Sequence, residues 1–426
     1  MSEDTLVERI GDWLIEQALA DSPFPGTFRQ FCLRLRSIGI PVVRARVIWP
    51  TLHPLFRAET LLWHLDEPLE FQQFNHQDRE SEAWKQSPIR WMLEEDVTVM
   101  RRRLTGPDPQ LDFALLEELA GEGYTDFLGI RTSFTGSRPA LRPDGRADFG
   151  LHVTWVTERR SGFSDADIGA LQRLQPYFAV ACKTAIQPRM TANITDAYLG
   201  PTVARQVLSG QIQLGSGSHT LALVWYSDLR DSTRFSETLD ETRYLALLNA
   251  YFGCVATAAI EAGGEVLAFI GDAVLAIFPI KGEGCEVGET LDDVVRAATE
   301  AAHQARAAVA ALNATRQADG ERPIGFGIAM NIGEVMFGNV GIPRRLSFSI
   351  VGPTVNEAAR IEKMTKTLGT GVLATHAVAA TDPSAWTSVG AHLLAGLEHP
   401  VELYALLEAA AVDPLRLAAP AAEGFR

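Results

Sequence analysis

Two aspartates, Asp228 and Asp272, stand where apolar runs end. Leu221–Tyr226 is an unbroken apolar run closed by Ser227 and Asp228. Such a run reads as a buried strand that delivers a polar group at its C-terminal edge. Val266–Ile270 and Ala273–Phe278 are two more apolar runs, separated only by Gly271 and Asp272. Two linking residues with Gly first predict a type II′ hairpin, which puts Asp272 on a tight turn. Neither segment holds a His or Cys, so the pair suggests a hard cation: carboxylate oxygens suit Mg2+ or Mn2+ rather than zinc. Two such ions between two carboxylates serve displacement at phosphorus. The plainer reading makes Asp228 a loop cap and Asp272 an ordinary turn residue.

A second constellation lies downstream, between Arg345 and Met364. Leu346–Val351 reads as a strand, Gly352 and Pro353 as a break, and Thr354 as a helix N-cap. Asn356 and Arg360 then fall four apart on one helical face, with the small Ala358 and Ala359 leaving room for close approach. An amide and a guanidinium on one face form a donor cluster suited to phosphate oxygens. The competing reading is a solvated face, with Arg360 paired to Glu357 or Glu362.

The elements that hold these groups follow from pattern. Between the first strand and the hairpin lies one helix, with Asp240 as N-cap and Gly263-Gly264 as its stop. Leu245, Leu248, Phe252, Val255 and Ala259 mark its expected apolar face. Beyond the hairpin come a glycine-rich loop at Lys281–Gly288 and a long alanine-rich helix over Leu291–Leu312, polar enough to lie at the surface. Ile324–Ala329 and Glu334–Asn339 read as two strands, and Gly371–Ala374 and Ala391–Leu407 as closing strands. Alternation along the hairpin puts Ala268 and Ile270 on one face and Leu267 and Phe269 on the other.

The segments SDLRDST, GGEVLAFIGDAVLAIFP, GIAMNIGEVMFGNVG and SIVGPTVNEAARIE occur in that order between Ser218 and Leu407. In this order and at these spacings they resemble the successive blocks of a class III nucleotide cyclase domain. The resemblance implies a ferredoxin-like βαββαβ core working as a head-to-tail homodimer with shared active sites. It gives Asp228 and Asp272 the role of holding two Mg2+ or Mn2+ ions per site, with the Leu229 carbonyl assisting. It gives Asn356 and Arg360 of the partner subunit the orientation of the ribose and the stabilisation of the transition state.

Two positions depart from the family pattern. Family adenylate cyclases carry a Lys, and guanylate cyclases a Glu, where this chain has Ala268. The partner base-reading position is Ser349, a neutral group that donates or accepts. Leu394-Ala395-Gly396 also lacks the cation of the matching family block. The expectation is an adenylate cyclase that forms 3′,5′-cyclic AMP and pyrophosphate from ATP. The alternatives are a cyclase with relaxed base choice, using GTP or a pyrimidine nucleotide, and a degenerate domain that only binds nucleotide.

The rest of the chain is bounded by composition. Its 426 residues are 46% hydrophobic and carry a net charge of −15. That acidity disfavours nucleic acid and anionic membrane surfaces. No apolar run reaches the roughly 18 residues of a spanning helix. The acidic, amphipathic N-terminus lacks the pattern of a signal peptide. Four scattered cysteines without metal spacing fit a reduced, cytoplasmic setting.

Residues 1–186 alternate helices with antiparallel-looking strands. They read as an α+β sensor module whose closing segment, GFSDADIGALQRLQPYF, resembles the last helix of GAF domains, with PAS as the competing assignment. Ser164 and Asp167 form a near capping box there. Asp66–Lys85 reads as an exposed loop, and His53, Arg57, Trp63, His152 and Trp155 as candidate liners for an unidentified regulator. Residues 187–217 read as a helical linker that transmits the sensor's state, 218–410 as the cyclase domain and 411–426 as a disordered tail.

Overall fold

The computed structural model describes the chain except for residues 1–2, 21, 135–149, 214, 216, 281–288, 343 and 409–426. The Lys281–Gly288 loop and the 411–426 tail therefore lie outside the described residues. The chain divides into two compact units, Met1–Tyr198 and Leu199–Arg426.

The first unit runs α1 (Glu3–Leu19), α2 (Phe24–Ser37), β1 (Arg44–Pro50), β2 (Phe56–His64), β3 (Glu70–Asn75), a 3-10 turn, α3 (Glu82–Lys85), α4 (Pro88–Glu94), β4 (Val99–Arg103), α5 (Ala114–Gly121), β5 (Asp126–Ser133), β6 (Gly150–Thr157) and α6 (Asp165–Leu199). Its strands form one antiparallel sheet in the order β3-β2-β1-β6-β5-β4. Alternation splits the side chains into two layers. Ala45, Val47, Trp63, Leu128, Val153 and Trp155 bury one face with α1, α2 and α6. Met100, Phe127 and Val156 bury the other with Met92 of α4 and Leu116 and Leu119 of α5.

Asp66–Lys85 is not a loop. It forms the edge strand β3, a turn and α3. Among the described residues β3 pairs only with β2, and it is almost wholly exposed, so it has no apolar alternation to betray it. The candidate liners are dispersed over the unit. Trp63 and Trp155 sit in the helix-covered core, whereas Arg57 stacks on Trp84 and His53 accepts from the Leu55 and Phe56 amides. Ser164 and Asp167 bond reciprocally, as a capping box requires. From there α6 runs unbroken through Pro176 and Pro188, so the expected boundary at 186 falls inside a helix.

The second unit runs α7 (Pro201–Leu208), β7 (Gly217–Arg230), α8 (Ser232–Thr238), α9 (Glu241–Glu261), β8 (Glu265–Ile270), β9 (Ala273–Pro279), α10 (Leu291–Ala318), β10 (Gly325–Ile342), β11 (Arg345–Val351), α11 (Pro353–Thr367), β12 (Val372–Thr375), α12 (His376–Ala379), β13 (Trp386–His392) and β14 (Val401–Leu406). Its sheet has the order β13-β14-β12-β10-β7-β9-β8, with β11 added to β10. The segment β10-β7-β9-β8 is antiparallel throughout. That is the 4-1-3-2 order of the expected βαββαβ core. Leu223 and Trp225 of β7 and Val274, Ala276 and Phe278 of β9 bury one face under α9 and α10. Ala222, Val224, Leu275, Ile277, Val335 and Phe337 bury the other with Ala358 of α11.

Several local expectations shift. Leu245 is 59% exposed, while Leu247 and Tyr251 are buried on α9. This helix is apolar nearly all round, so periodicity could not choose its inward face. By length and composition alone α9 would suffice to cross a membrane; here its buried residues belong to the core under the sheet. Helix α10 packs Val295, Ala298, Ala302 and Ala305 into the core, where alanines allow close packing, and leaves its polar face at the surface. The two strands expected at 324–339 are one, β10. Buried Asn331 continues the ladder opposite Val224 and has side-chain partners of its own. Gly352, not Thr354, caps α11, and Pro353 takes the first position, where a missing N–H costs nothing.

Candidate active site

Asp228 and Asp272 meet because β7 and β9 pair. Asp228 lies opposite Ala273, the residue after Asp272, and Gly271 takes the left-handed φ of 65° that the two-residue turn needs. Asp228 is half-buried, and its Oδ1 has no hydrogen-bond partner among the described residues. Burial, the Asp272 charge and a hydrogen bond to Asp272 raise its pKa to about 6. The Leu229 main chain and Lys363 oppose that rise. The Leu229 side chain points away, into the core.

A third carboxyl joins them. Gly327 of β10 is the register partner of Asp228. A Cβ at Gly327 would collide with the Glu362 carboxyl and the Thr365 hydroxyl of α11. The missing side chain thus lets α11 seat Glu362, 5% exposed, beside Asp228. Burial first, and then the Asp228 charge, raise the Glu362 pKa to about 7, against the pull of Thr365, Arg230 and Lys363. The same burial and charges push up the phenol of Tyr226. Sequence reasoning counted Glu362 only as a possible partner of Arg360. The available signal was Gly327 itself, since a strand-interior glycine often marks close approach.

Helix α11 is pinned to β10 at its first turns. Asn331 donates to the Thr354 carbonyl at 3.2 Å and to Glu357 Oε2 at 3.0 Å, and accepts from the Thr375 hydroxyl at 3.1 Å. The Thr354 hydroxyl donates to the Glu334 carbonyl at 2.9 Å. These bonds hold Asn356, exposed, and Arg360, half-buried, one turn apart on α11. Arg360 makes no ion pair among the described residues: Glu357 is taken by Asn331, and Glu362 faces Thr365 and Asp228. Its guanidinium lies beside Gly396, in the turn that lacks the expected cation.

Ala268 sits opposite Leu275 just past a bulge between Val266 and Ala268. The bulge overturns the expected alternation: Leu267 joins the Leu275 and Phe337 cluster instead of facing α9. Phe269 does face α9, with its ring 4.6 Å from that of Phe252. Strand β11, which carries Ser349 opposite Gly338, comes into contact with β8. The two strands that carry Ala268 and Ser349 therefore meet.

The donor set fits a hard divalent cation. A buried carboxylate oxygen without a partner, a second carboxylate beside it and an adjacent main chain offer oxygen only. Among the described residues no three His, Cys, Asp or Glu side chains are placed to hold a metal ion together. Arg360, with no ion pair among the described residues, and the exposed Asn356 are donors of a kind that suits phosphate and hydroxyl groups.

Residues 216–407 match the family model of the adenylate and guanylate cyclase catalytic domain. The chain is similar to the adenylate cyclase of Anabaena cylindrica, at 31% identity over 39% of this chain and 32% of that protein. It is similar to adenylate cyclase 1 of Rhizobium meliloti, at 30% identity over 36% of this chain and 22% of that protein. It spans well under half the length of these relatives. Among solved structures, the guanylyl cyclase Cya2 aligns at 28% identity over 45% of this chain and 93% of that one, with a TM-score of 0.39.

Proposed function

Since residues 216–407 belong to the adenylate and guanylate cyclase catalytic domain family, we propose that the chain converts ATP to 3′,5′-cyclic AMP and pyrophosphate as a homodimer. The observation that carries this reading is the partly buried Asp228, with one orphaned oxygen, beside Asp272. A lone carboxylate held this way is costly and calls for a cation.

Asp228, Asp272 and the Leu229 carbonyl would hold the metal. Bound there, Mg2+ or Mn2+ would supply Lewis acidity to the ribose 3′-hydroxyl and neutralise the triphosphate. Asn356 of the partner subunit orients the ribose. Arg360 of the partner subunit, unengaged by any carboxylate of its own among the described residues, stabilises the charge that develops on the α-phosphoryl group. Ser349 contacts the base. The N-terminal unit regulates the reaction, in a cytoplasmic setting.

A second reading keeps the reaction and relaxes the base. Ala268 brings no charge to the strand pair where the base would be read, and neutral Ser349 discriminates weakly. A domain that only binds nucleotide is less economical, because it has no need for an arginine without an ion pair together with two carboxylates crowded against each other.

The test is complementation. Asp272→Ala and Arg360→Ala proteins are each expected to be inactive. After demonstrated subunit exchange, their mixture should regain activity, because one site of each heterodimer is whole. Mass analysis of the cyclic product from each nucleotide then decides the base. A mixture that exchanges subunits and stays inactive would reject the shared site.

A further inference from the structure

The α4/α5 side of the N-terminal sheet carries four arginines. Register places Arg44, Arg46, Arg102 and Arg131 on this face, with Met100, Phe127 and Val156. Three of these arginines have a carboxylate. Arg44 lies 4.0 Å from Glu122, Arg102 lies 2.8 Å from Asp112, and Arg131 lies 2.7 Å from Asp96. Arg46 is the exception. It is largely buried at the middle of the sheet, and its Nε has no partner. No carboxylate pairs with it among the described residues. Burial, and then the neighbouring Arg44, disfavour its charge, and only Glu70 and Glu118 offset this from further off. Its lateral neighbours, Leu62 and Thr154, offer no counter-charge, and beyond Thr154 comes Gly129, which has no side chain.

A buried guanidinium is tolerated when something answers its charge. Its planar fork of donors matches a carboxylate or a phosphate. We propose that this face of the N-terminal unit binds a small molecule through a carboxylate or phosphate group seated on Arg46, with the Thr154 hydroxyl alongside. The site belongs to the N-terminal unit and stands whether or not the catalytic reading does.

Calorimetric titration of the full chain tests it, with inorganic phosphate in one arm and succinate in the other. Chelator is present, and chloride balances ionic strength. The parent carries Arg360→Ala, which removes the guanidinium assigned to the catalytic site. At least one probe should bind saturably, and Arg46→Met should weaken it by about tenfold or more, the loss expected for a charge-assisted hydrogen bond. The arm that binds names the group. Methionine keeps the buried stem and deletes the unanswered charge, so without anion Arg46→Met should melt at or above its parent. Saturable binding of neither probe, equal affinity in the variant, or a lower melting temperature without anion would each overturn the proposal. The last result would make Arg46 a structural residue.

Discussion

Each unit holds an aspartate in a sheet beside other charges, and the two are treated in opposite ways. In the N-terminal unit Asp126 is fully buried, yet it accepts from Arg101 at 2.8 Å, Arg103 at 3.4 Å and the Phe163 amide at 2.9 Å. In the C-terminal unit Asp228 keeps an oxygen with no partner among the described residues, and its close neighbours include two more carboxyls, Asp272 and Glu362. Donors that answer a buried carboxylate make it part of the framework. Like charges crowded around one raise its pKa and destabilise the empty site, a cost that selection tolerates where a ligand relieves it. Arg46 is the cationic counterpart of Asp228 in the N-terminal unit.

Removing the carboxylates gives the largest expected effect. Asp228→Ala or Asp272→Ala should abolish turnover, measured as cyclic product formed with Mn2+, and a folded variant retaining more than about a tenth of the activity would reject the metal assignment. Stability should divide the two aspartates next. Asp126→Asn should lose about 1–3 kcal/mol, because it turns an amide donor toward two arginines and the Phe163 amide, which need an acceptor. Asp228→Asn, without metal, should melt at or above the parent. If both variants fell equally in thermal unfolding, the contrast would fail.

A smaller effect concerns base choice. Ala268→Lys should raise the ATP over GTP ratio of kcat/KM by about tenfold or more, the contribution of one charged hydrogen bond. A folded variant with an unchanged ratio would show that position 268 does not read the base. The smallest effect is a pH slope. The folded pKa of Glu362, about 7, lies above its ordinary value, so the group favours the folded state below about pH 4.5 and loses that contribution as pH rises through 7. Glu362→Gln should therefore melt like the parent near pH 5 and exceed it by roughly 1–2 kcal/mol near pH 8, after allowance for nearby solvent. Parallel pH curves for the two proteins would contradict the crowding of Glu362 against Asp228.

What the sequence settled alone was local. The strand that carries Asp228, the Gly271-Asp272 turn, the Asp240 cap and the Asn356/Arg360 spacing all rest on periodicity and turn chemistry within a few residues. The order of four strands and two helices followed from their succession, and with it the βαββαβ core. The packing of distant segments decided the rest. Glu362 reaches Asp228 only because α11 folds over the bare backbone of Gly327. A bulge turns Leu267 inward, although Leu267 and Phe269 share a sequence parity. Helix α9, apolar on every side, takes its inward face from the sheet beneath it. Arg46 looks like any strand arginine until the partners of Arg44, Arg102 and Arg131 show that, among the described residues, it alone of the four has no carboxylate. Charge pairing and close approach are relations between residues far apart in the chain, and no window of local sequence contains both members.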